Sequence, residues 1–267
     1  MVSFVILTWN SEKFIAACLD ALTALRPFPF ECIVVDNGSS DGTLAILDAY
    51  TEKMPELKTI RLEKNTGTTV SRNKGIAAVS EDSEYICILD SDAFITREAL
   101  EKMIAALETD PANGICGPYM ENLQGLPQLT AKKIPTAVLK FCKAFPVKAV
   151  QQIGVRMEEY DFPEKTRAYP VGYLISACWL LRRKMIGAIG PLDEKIFYSP
   201  EDVEYCVRAW QNGWRVLYVP DAKIIHAVQR ISKKKLFSRH NWEHVKGLVY
   251  FFRKYHLFFS TKQIKVN

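Results

Sequence analysis

The sequence predicts an α/β protein with a mostly parallel sheet flanked by helices. Three observations carry that expectation. Apolar runs of five to seven residues alternate with stretches whose apolar positions recur at helical spacing, from Val2 to about Met120. The runs are nearly continuous Val, Ile, Leu and Cys, the pattern of strands buried on both faces. Polar clusters sit where three of them end, at Thr8-Trp9-Asn10, Asp36-Asn37-Gly38-Ser39 and Asp90-Ser91-Asp92. In open parallel sheets, ligands bind beyond the carboxyl ends of strands.

Taken in order, "VSFVILT" (2–8) reads as the first strand. Phe14, Ile15, Cys18, Leu19, Leu22 and Leu25 then mark a helix within 11–25. "ECIVVD" (31–36) is the second strand, followed by a helix capped by Ser40 or Asp41 and running to about Lys53. "LKTIRL" (57–62) is a third strand, and a helix spans about 68–79. "YICIL" (85–89) runs into Asp90; "REALEKMIAALE" (97–108) is helical and "GICGPYM" (114–120) a strand. Residues 121–170 lose the alternation, carry five prolines and stay unassigned. "GYLISACWLLRR" (172–183) resumes as a strand. "SPEDVEYCVRAWQNG" (199–213) is a helix with Ser199 as cap; "WRVLYVP" (214–220) is a strand and "AKIIHA" (222–227) an extended piece.

The chain has 267 residues, 48% of them hydrophobic, which supports a sizeable core and disfavours disorder. The opening apolar run has no basic segment before it and is broken at Ser11-Glu12-Lys13, so it reads as a strand rather than a signal peptide. No window approaches a membrane-spanning length. The seven cysteines include no CxxC and mostly lie in apolar runs, which suggests free thiols in a reducing, cytoplasmic compartment. Charge is uneven. Residues 230–267 hold ten Lys/Arg against one acid, a balance of +9 that leaves −4 on residues 1–229. Such a tail suggests an anionic partner.

Four constellations carry chemistry. Asp90 and Asp92, one residue apart at a strand end, can face one ligand, and hard cations such as Mg²⁺ or Mn²⁺ take carboxylate oxygens while leaving room for phosphates. A solvated turn is the plainer reading of the same triplet. Asp36 can accept from a base or ribose beside a small polar loop, although a helix cap already explains Ser40, Asp41 and Gly42. Arg72 follows Asn65-Thr66-Gly67 near a helix start, where it can meet an anion or stand on the surface. Glu201, Asp202 and Glu204 suit a helix dipole, yet three acids in four residues exceed what a cap needs, and one can serve as a general base. His226 reads either as a core-edge histidine or as a metal or phosphate contact. Neither GxxxxGK[ST] nor GxGxxG is present, which argues against a P-loop and against a dinucleotide oxidoreductase.

In this order and spacing the segments resemble family 2 glycosyltransferases, an inverting family with the GT-A fold. The likeness covers Val2 to about His226. "VSFVILTWNSE" is similar to the family's opening strand, with Trp9 where Tyr is usual. "CIVVDNGSSDGT", "NTGTTVSRNKGI" and "ILDSDAFI" resemble its second-strand, Asn-x-Gly/Arg-Asn-x-Gly and DxD motifs. "SPEDVEYCVRAWQNGWRVLYVPDAKIIH" resembles its closing block. The absence of QxxRW disfavours a processive polymerase.

The resemblance implies roles. Thr8, Asn10, Asp36, Asn65 and Arg72 would line the nucleotide site, with Trp9, Asn37, Gly67 and Ser91 beside them. Asp90 would contact ribose and lie close to the metal, Asp92 would bind Mn²⁺ or Mg²⁺ on the diphosphate, and His226 would help hold metal or phosphate. Asp202 would deprotonate the acceptor hydroxyl, with Glu201 its rival. Residues 1–229 would form the catalytic domain, with a donor half (1–120) and an acceptor half (121–229), and 230–267 a basic aromatic helical extension. The donor would be a UDP-hexose or dTDP-rhamnose, and the acceptor a saccharide or lipid-linked saccharide of the cell surface. The extension would place the chain peripherally on the anionic inner face of the plasma membrane, or dock as a terminal helix; no nucleic-acid module surrounds it. Two rivals are weaker. A sugar-1-phosphate nucleotidyltransferase would carry a Gly-rich basic loop where "TWNSEKF" stands. A non-catalytic module of the fold would have lost Asp90, Asp92 and Asp202.

Overall fold

The computed structural model describes residues 1–160, 166–227 and 239–266. The elements run in order as follows: β1 (Val2–Thr8), α1 (Ile15–Thr23), β2 (Phe30–Asp36), α2 (Thr43–Thr51), β3 (Leu57–Arg61), α3 (Thr68–Ala77), β4 (Tyr85–Asp90), β5 (Ala93–Phe94), α4 (Arg97–Glu108) and β6 (Asn113–Glu121). The chain continues through β7 (Pro127–Gln128), β8 (Ala131–Lys132), α5 (Ala137–Ala144), α6 (Lys148–Glu158), β9 (Tyr169–Pro170), β10 (Tyr173–Leu174) and β11 (Cys178–Arg182). It closes with α7 (Arg183–Ile189), α8 (Glu201–Gln211), β12 (Arg215–His226) and α9 (Arg239–Tyr255).

The main sheet has the order β3-β2-β1-β4-β11-β6-β12-β5, with β7 beside β6 and β9 beside β12. β3, β2, β1 and β4 are mutually parallel, as are β6 and β12; β11 runs antiparallel between β4 and β6. Side chains alternate across the sheet at period two. Val2, Phe4 and Ile6 therefore pack with Ile15, Leu19, Leu22, Leu100 and Met103 of α1 and α4. Val5, Ile33 and Val35 face the other layer, which holds Met185 of α7, Val203 and Val207 of α8, and Phe251 and Phe252 of α9. The fold is the predicted mostly parallel sheet between two helical layers. All seven cysteines are free and six of them are buried. No helix among the described residues is long and apolar enough to cross a membrane.

Several boundaries differ from the sequence reading. The helix expected within 11–25 is confined to Ile15–Thr23. α2 starts at Thr43 behind Gly42, neither Ser40 nor Asp41 being its cap; Asp41 instead accepts from the Thr43 backbone N–H. α8 is preceded by Pro200 rather than capped by Ser199. The strand expected over 172–183 is two pieces. Tyr173–Leu174 pairs with Ala131–Lys132 in a separate small ribbon, and only Cys178–Arg182 joins the main sheet. Conversely, the pieces 214–220 and 222–227 form one strand, β12, with an irregularity between Val219 and Lys223. The unassigned stretch holds the α5–α6 hairpin.

α9 belongs to the extension, and it docks on α8. Phe251, Phe252, Tyr255 and Leu257 are buried. Glu204 of α8 is fully buried and accepts from Tyr255 Oη at 2.7 Å, Lys254 Nζ at 2.8 Å and Arg208 at 2.9 Å. Gly247 permits this approach, since a Cβ there would sit 2.3 Å from the Ser199 carbonyl oxygen. The basic run Arg230–Lys235 lies outside the described residues. Phe251→Ala is accordingly expected to destabilise the whole chain by about 3–5 kcal/mol in urea unfolding, as for other buried Phe truncations. A change under about 0.5 kcal/mol, the range of ordinary surface substitutions, would separate α9 from the cooperative core.

Candidate active site

Parallel register aligns the carboxyl ends of three strands. Thr8 of β1 lies beside Asp36 of β2, and Leu7 beside Asp90 of β4. Asp36 is buried, accepting from Thr8 Oγ1 at 3.0 Å, from the Ser39 N–H at 3.0 Å and from Ser39 Oγ at 2.5 Å. Asn37 is also buried. Its Nδ2 donates to Asn65 Oδ1 at 3.1 Å, and its Oδ1 accepts from the Thr66 N–H at 2.8 Å. The amides of Asn37 and Asn65 thus brace two loops against each other. Gly67 (φ 90°) completes the second loop, and only glycine fits, because a Cβ would sit 2.3 Å from the Phe197 carbonyl oxygen. Trp9 and Asn10 stand exposed at the mouth, with Asn10 Oδ1 accepting from the Ser40 N–H at 2.8 Å.

The second feature is built by pairing. β5 follows Asp92 directly and runs antiparallel to the end of β12, setting Ala93 opposite His226. Ligand atoms of Asp90, Asp92 and His226 then lie within 4.8 Å of one another, with His226 Nε2 at 3.4 Å from Asp92 Oδ1. Ser91 turns away and donates to Ser11 Oγ at 2.9 Å. Gln128 of β7 fixes the imidazole. Its Nε2 donates to the His226 carbonyl at 2.7 Å, so its Oε1 is the atom facing Nδ1 at 2.8 Å. An amide oxygen only accepts, so Nδ1 carries a proton, and Nε2 faces Asp92, donating to it when the ring is charged and offering a lone pair when it is neutral.

Burial raises the Asp90 pKa; Arg72 pulls it down and the Asp92 charge pushes it up again, with a net rise. Burial would lower the His226 pKa, but the bond to Asp92 and the Asp90 charge outweigh it. Two crowded carboxylates and an imidazole lone pair suit a divalent cation of the Mg²⁺ or Mn²⁺ kind. The same lone pair takes a proton when no cation is bound.

The third feature is a buried fork. Arg72 of α3 is 3% exposed. It donates to Asp90 at 2.8 Å, to Glu201 at 3.2 Å and to the Ser176 carbonyl at 3.1 Å. Glu201 also accepts from Ser176 Oγ at 2.8 Å. Burial and the neighbouring Asp202 charge raise its pKa, with Arg72 opposing. Asp202 differs. Among the described residues its carboxylate accepts from the adjacent Val203 N–H at 2.8 Å and from no other side chain or backbone group. Burial raises its pKa, and that backbone bond with the charges of Lys132, Lys140 and Arg72 draws it back only in part. Burial holds the Glu201 carboxyl higher, at about 8, but Glu201 is tied into the fork, whereas Asp202 keeps an unengaged oxygen one residue away.

Glu204, one of the three acids flagged near the start of α8, is instead buried against α9; the other sequence-flagged residues fall on this end of the sheet, but not with equal access. Thr8, Asp36, Asn37 and Arg72 are buried within the protein's own bonds, whereas Trp9, Asn10, Asp90 and Asp202 are at least partly open. Sequence reading missed Gln128, Ser176 and Lys132. Gln128 and Lys132 lie in the unassigned stretch, and Ser176 sits in a run read as continuous strand.

The sequence profile described as Glycosyl transferase family 2 matches residues 3–190. The N-acetylglucosaminyl-diphospho-decaprenol L-rhamnosyltransferase of Mycobacterium tuberculosis (strain H37Rv) is 25% identical over 235 residues, 83% of this chain and 74% of that protein. The dTDP-rhamnosyl transferase RfbF of Shigella flexneri is 26% identical over 226 residues, 84% and 68%. Among solved structures, the mannosyltransferase PcManGT of Pyrobaculum calidifontis, in complex with GDP-Man and Mn2+, superposes with a TM-score of 0.63 at 19% identity, covering 95% of this chain and 63% of that one. That likeness bears on the fold alone.

The Gln128 clamp predicts metal affinity. Gln128→Leu is expected to weaken Mn²⁺ binding roughly 10–100-fold, the usual cost of losing a group that orients a ligating His. Electron paramagnetic resonance of free Mn²⁺ during titration reads this directly. Affinity within about twofold of the parent would detach His226 from the cation.

Proposed function

The chain belongs to glycosyl transferase family 2, and from that premise we propose that it moves a sugar from a nucleoside diphosphate donor to an acceptor hydroxyl with inversion, aided by Mn²⁺ or Mg²⁺. One observation carries this reading. Arg72 joins the Asp90–Asp92–His226 cluster to the start of α8, so a candidate cation site and a carboxylate with one unengaged oxygen share one mouth. Residues 1–120 would hold the donor, with Trp9 and Asn10 at the base or ribose and the Asp36 loop beneath. Residues 121–229 would supply the acceptor side.

Asp92, Asp90 and His226 would hold the cation, which when bound neutralises charge growing on the leaving diphosphate. Asp202 would take the proton from the acceptor hydroxyl. The oxygen's lone pair then forms the new glycosidic bond at the anomeric carbon, while the bond to the diphosphate breaks on the opposite side and its electrons leave with the phosphate. Burial raises the Glu201 pKa to about 8, yet Glu201 is the poorer candidate, because its oxygen is already held by Arg72 and Ser176 inside the fork. The names of the two rhamnosyl-transferring relatives favour dTDP-rhamnose over a UDP-hexose. The carrier named for the Mycobacterium protein favours a lipid-linked acceptor, met from the cytoplasmic side with the chain peripheral to the membrane.

Asp202→Asn is expected to lower kcat about 10²–10⁴-fold, the span of a general base, with donor affinity near that of the parent. Glu201→Gln should lower kcat less, and the reverse ranking in steady-state kinetics would assign the base to Glu201. A base works deprotonated and the Asp202 pKa is raised, so kcat should climb with pH along a limb displaced above the ordinary carboxylate range. A limb within that range would sink the assignment.

Thermal melts with a panel of nucleotide sugars test the donor. dTDP-rhamnose or a UDP-hexose should raise Tm only with Mn²⁺ or Mg²⁺, and Asp92→Asn should lose that metal-dependent increment. Full stabilisation in the presence of a chelator would remove the metal from the proposal.

A further inference from the structure

The α5–α6 hairpin carries its apolar residues outward. Val138 and Phe141 lie three residues apart on α5, Phe145 follows directly after its end, and all three are exposed, Phe141 by 63%. The turn adds Pro146 and Val147, likewise exposed. A soluble hairpin tip normally presents polar residues here, because apolar surface in water costs roughly 25 cal/mol per Å². The patch continues onto the chain that follows α9. The Ala137 and Val138 N–H groups donate to the Leu257 and Phe258 carbonyls at 2.9 and 3.2 Å, which seats Phe258 and Phe259 against the start of α5. Phe259 is 87% exposed.

Charge singles out the occupant. Residues 131–157 contain Lys132, Lys133, Lys140, Lys143, Lys148 and Arg156 and no acid. Lys140 and Lys143 close on the buried Glu158, anchoring the hairpin base. Lys148 and Arg156 stay exposed among the described residues. The adjoining residues 256–266 add Lys262 and Lys265, again without an acid. Aromatic rings on a hairpin tip beside the exposed cations Lys148, Arg156, Lys262 and Lys265 are the chemistry of an interface with anionic lipid. A protein groove would need acids spaced to match.

We infer that the α5–α6 hairpin tip, with Phe258 and Phe259 beside it, docks on the surface of an anionic phospholipid bilayer. The site does not depend on the basic run 230–235. The charges of Lys140 in the hairpin and of Lys132 in the neighbouring β8 act on the Asp202 carboxylate, so the hairpin base lies near the candidate active site. Docking there would bring a membrane-borne hydroxyl to the mouth near Asp202. That purpose rests on the lipid-linked-acceptor reading, whereas the docking itself does not.

Vesicle flotation of the full chain tests it, with phosphatidylglycerol-containing and pure phosphatidylcholine vesicles at low and high salt. The expected result is flotation with anionic vesicles only, lost at high salt. The double variant Phe141→Ser with Phe145→Ser should bind at least about tenfold more weakly, and Lys148→Glu at least about fivefold. Both should keep the parent's melting temperature and donor-induced stabilisation. Failure of the full chain to float at low salt, equal flotation on neutral vesicles, or parental binding by both variants would each overturn the proposal. So would loss of donor stabilisation together with lipid binding, because the patch would then support the fold. Vesicle binding needs no donor, so an unsuccessful nucleotide-sugar screen leaves this result standing.

Discussion

A single buried cation sets the geometry of this end of the sheet. Arg72 lies within α3, and three of its neighbours come from distant parts of the chain: Asp90 at the end of β4, Ser176 before β11 and Glu201 at the start of α8. A guanidinium taken out of water is costly unless carboxylates and further hydrogen bonds replace the solvent. Asp90 and Glu201 provide the charges and the Ser176 carbonyl a further acceptor. Moving any one of them strands the others, so the strand end that bears Asp90 and the helix that bears Asp202 are held in one arrangement. Planarity matters, since one guanidinium reaches two carboxylates along different N–H directions, which a lysine's point charge cannot do.

α8 is fixed again one turn later. Glu204, four residues after Pro200, gathers Tyr255, Lys254 and Arg208 in a fully buried position, while Lys254 and Tyr250 also reach Asp193 at 2.7 Å. Gly247 lets α9 touch the Ser199 carbonyl just ahead of the helix. The catalytic candidate therefore sits between two buried ionic clusters, one on the sheet side and one on the extension side. Removing one partner of such a cluster costs about 3–5 kcal/mol through the charge left behind. A helix end held this way keeps its first-turn carboxylates in place without a lid.

Legibility followed locality. β1, β2 and β4 were readable because each is a short, nearly unbroken apolar run with a polar stop. β11 was misjudged at its start because Gly172–Ile175 is as apolar as the strand that follows. Only the pairing of Tyr173–Leu174 with β8 separates the two. The α5–α6 hairpin escaped because prolines and lysines interrupt its period, and its apolar face points out rather than in. At the site, the sequence marked Asp90, Asp92, His226, Asp202 and Arg72 but not what binds them together. Arg72 meets Glu201 across 129 residues, and Gln128 meets His226 across 98. Nothing in a local window foretells either pairing. Arg72 looked like a surface cation awaiting a ligand, yet the protein's own carboxylates take that cation.

This last point explains why two adjacent carboxylates need not be redundant. Glu201 and Asp202 begin the same helix turn and share its dipole, so the helix alone would treat them alike. The fork separates them. Glu201 absorbs the short-range effect of Arg72 and the Ser176 hydroxyl, becoming part of the scaffold. Burial is the largest influence on both carboxylates and raises both; what differs is that Asp202 keeps an oxygen free of the fork, with Arg72, Lys132 and Lys140 acting only at a distance. Were Glu201 absent from the fork, Arg72 would lose one of its two carboxylate partners and more of its charge would act on Asp202, which lowers a carboxylate's pKa. Under the proposed chemistry, then, Glu201 serves by occupying the arginine, and the pair divides one motif into a structural carboxylate and a reactive one.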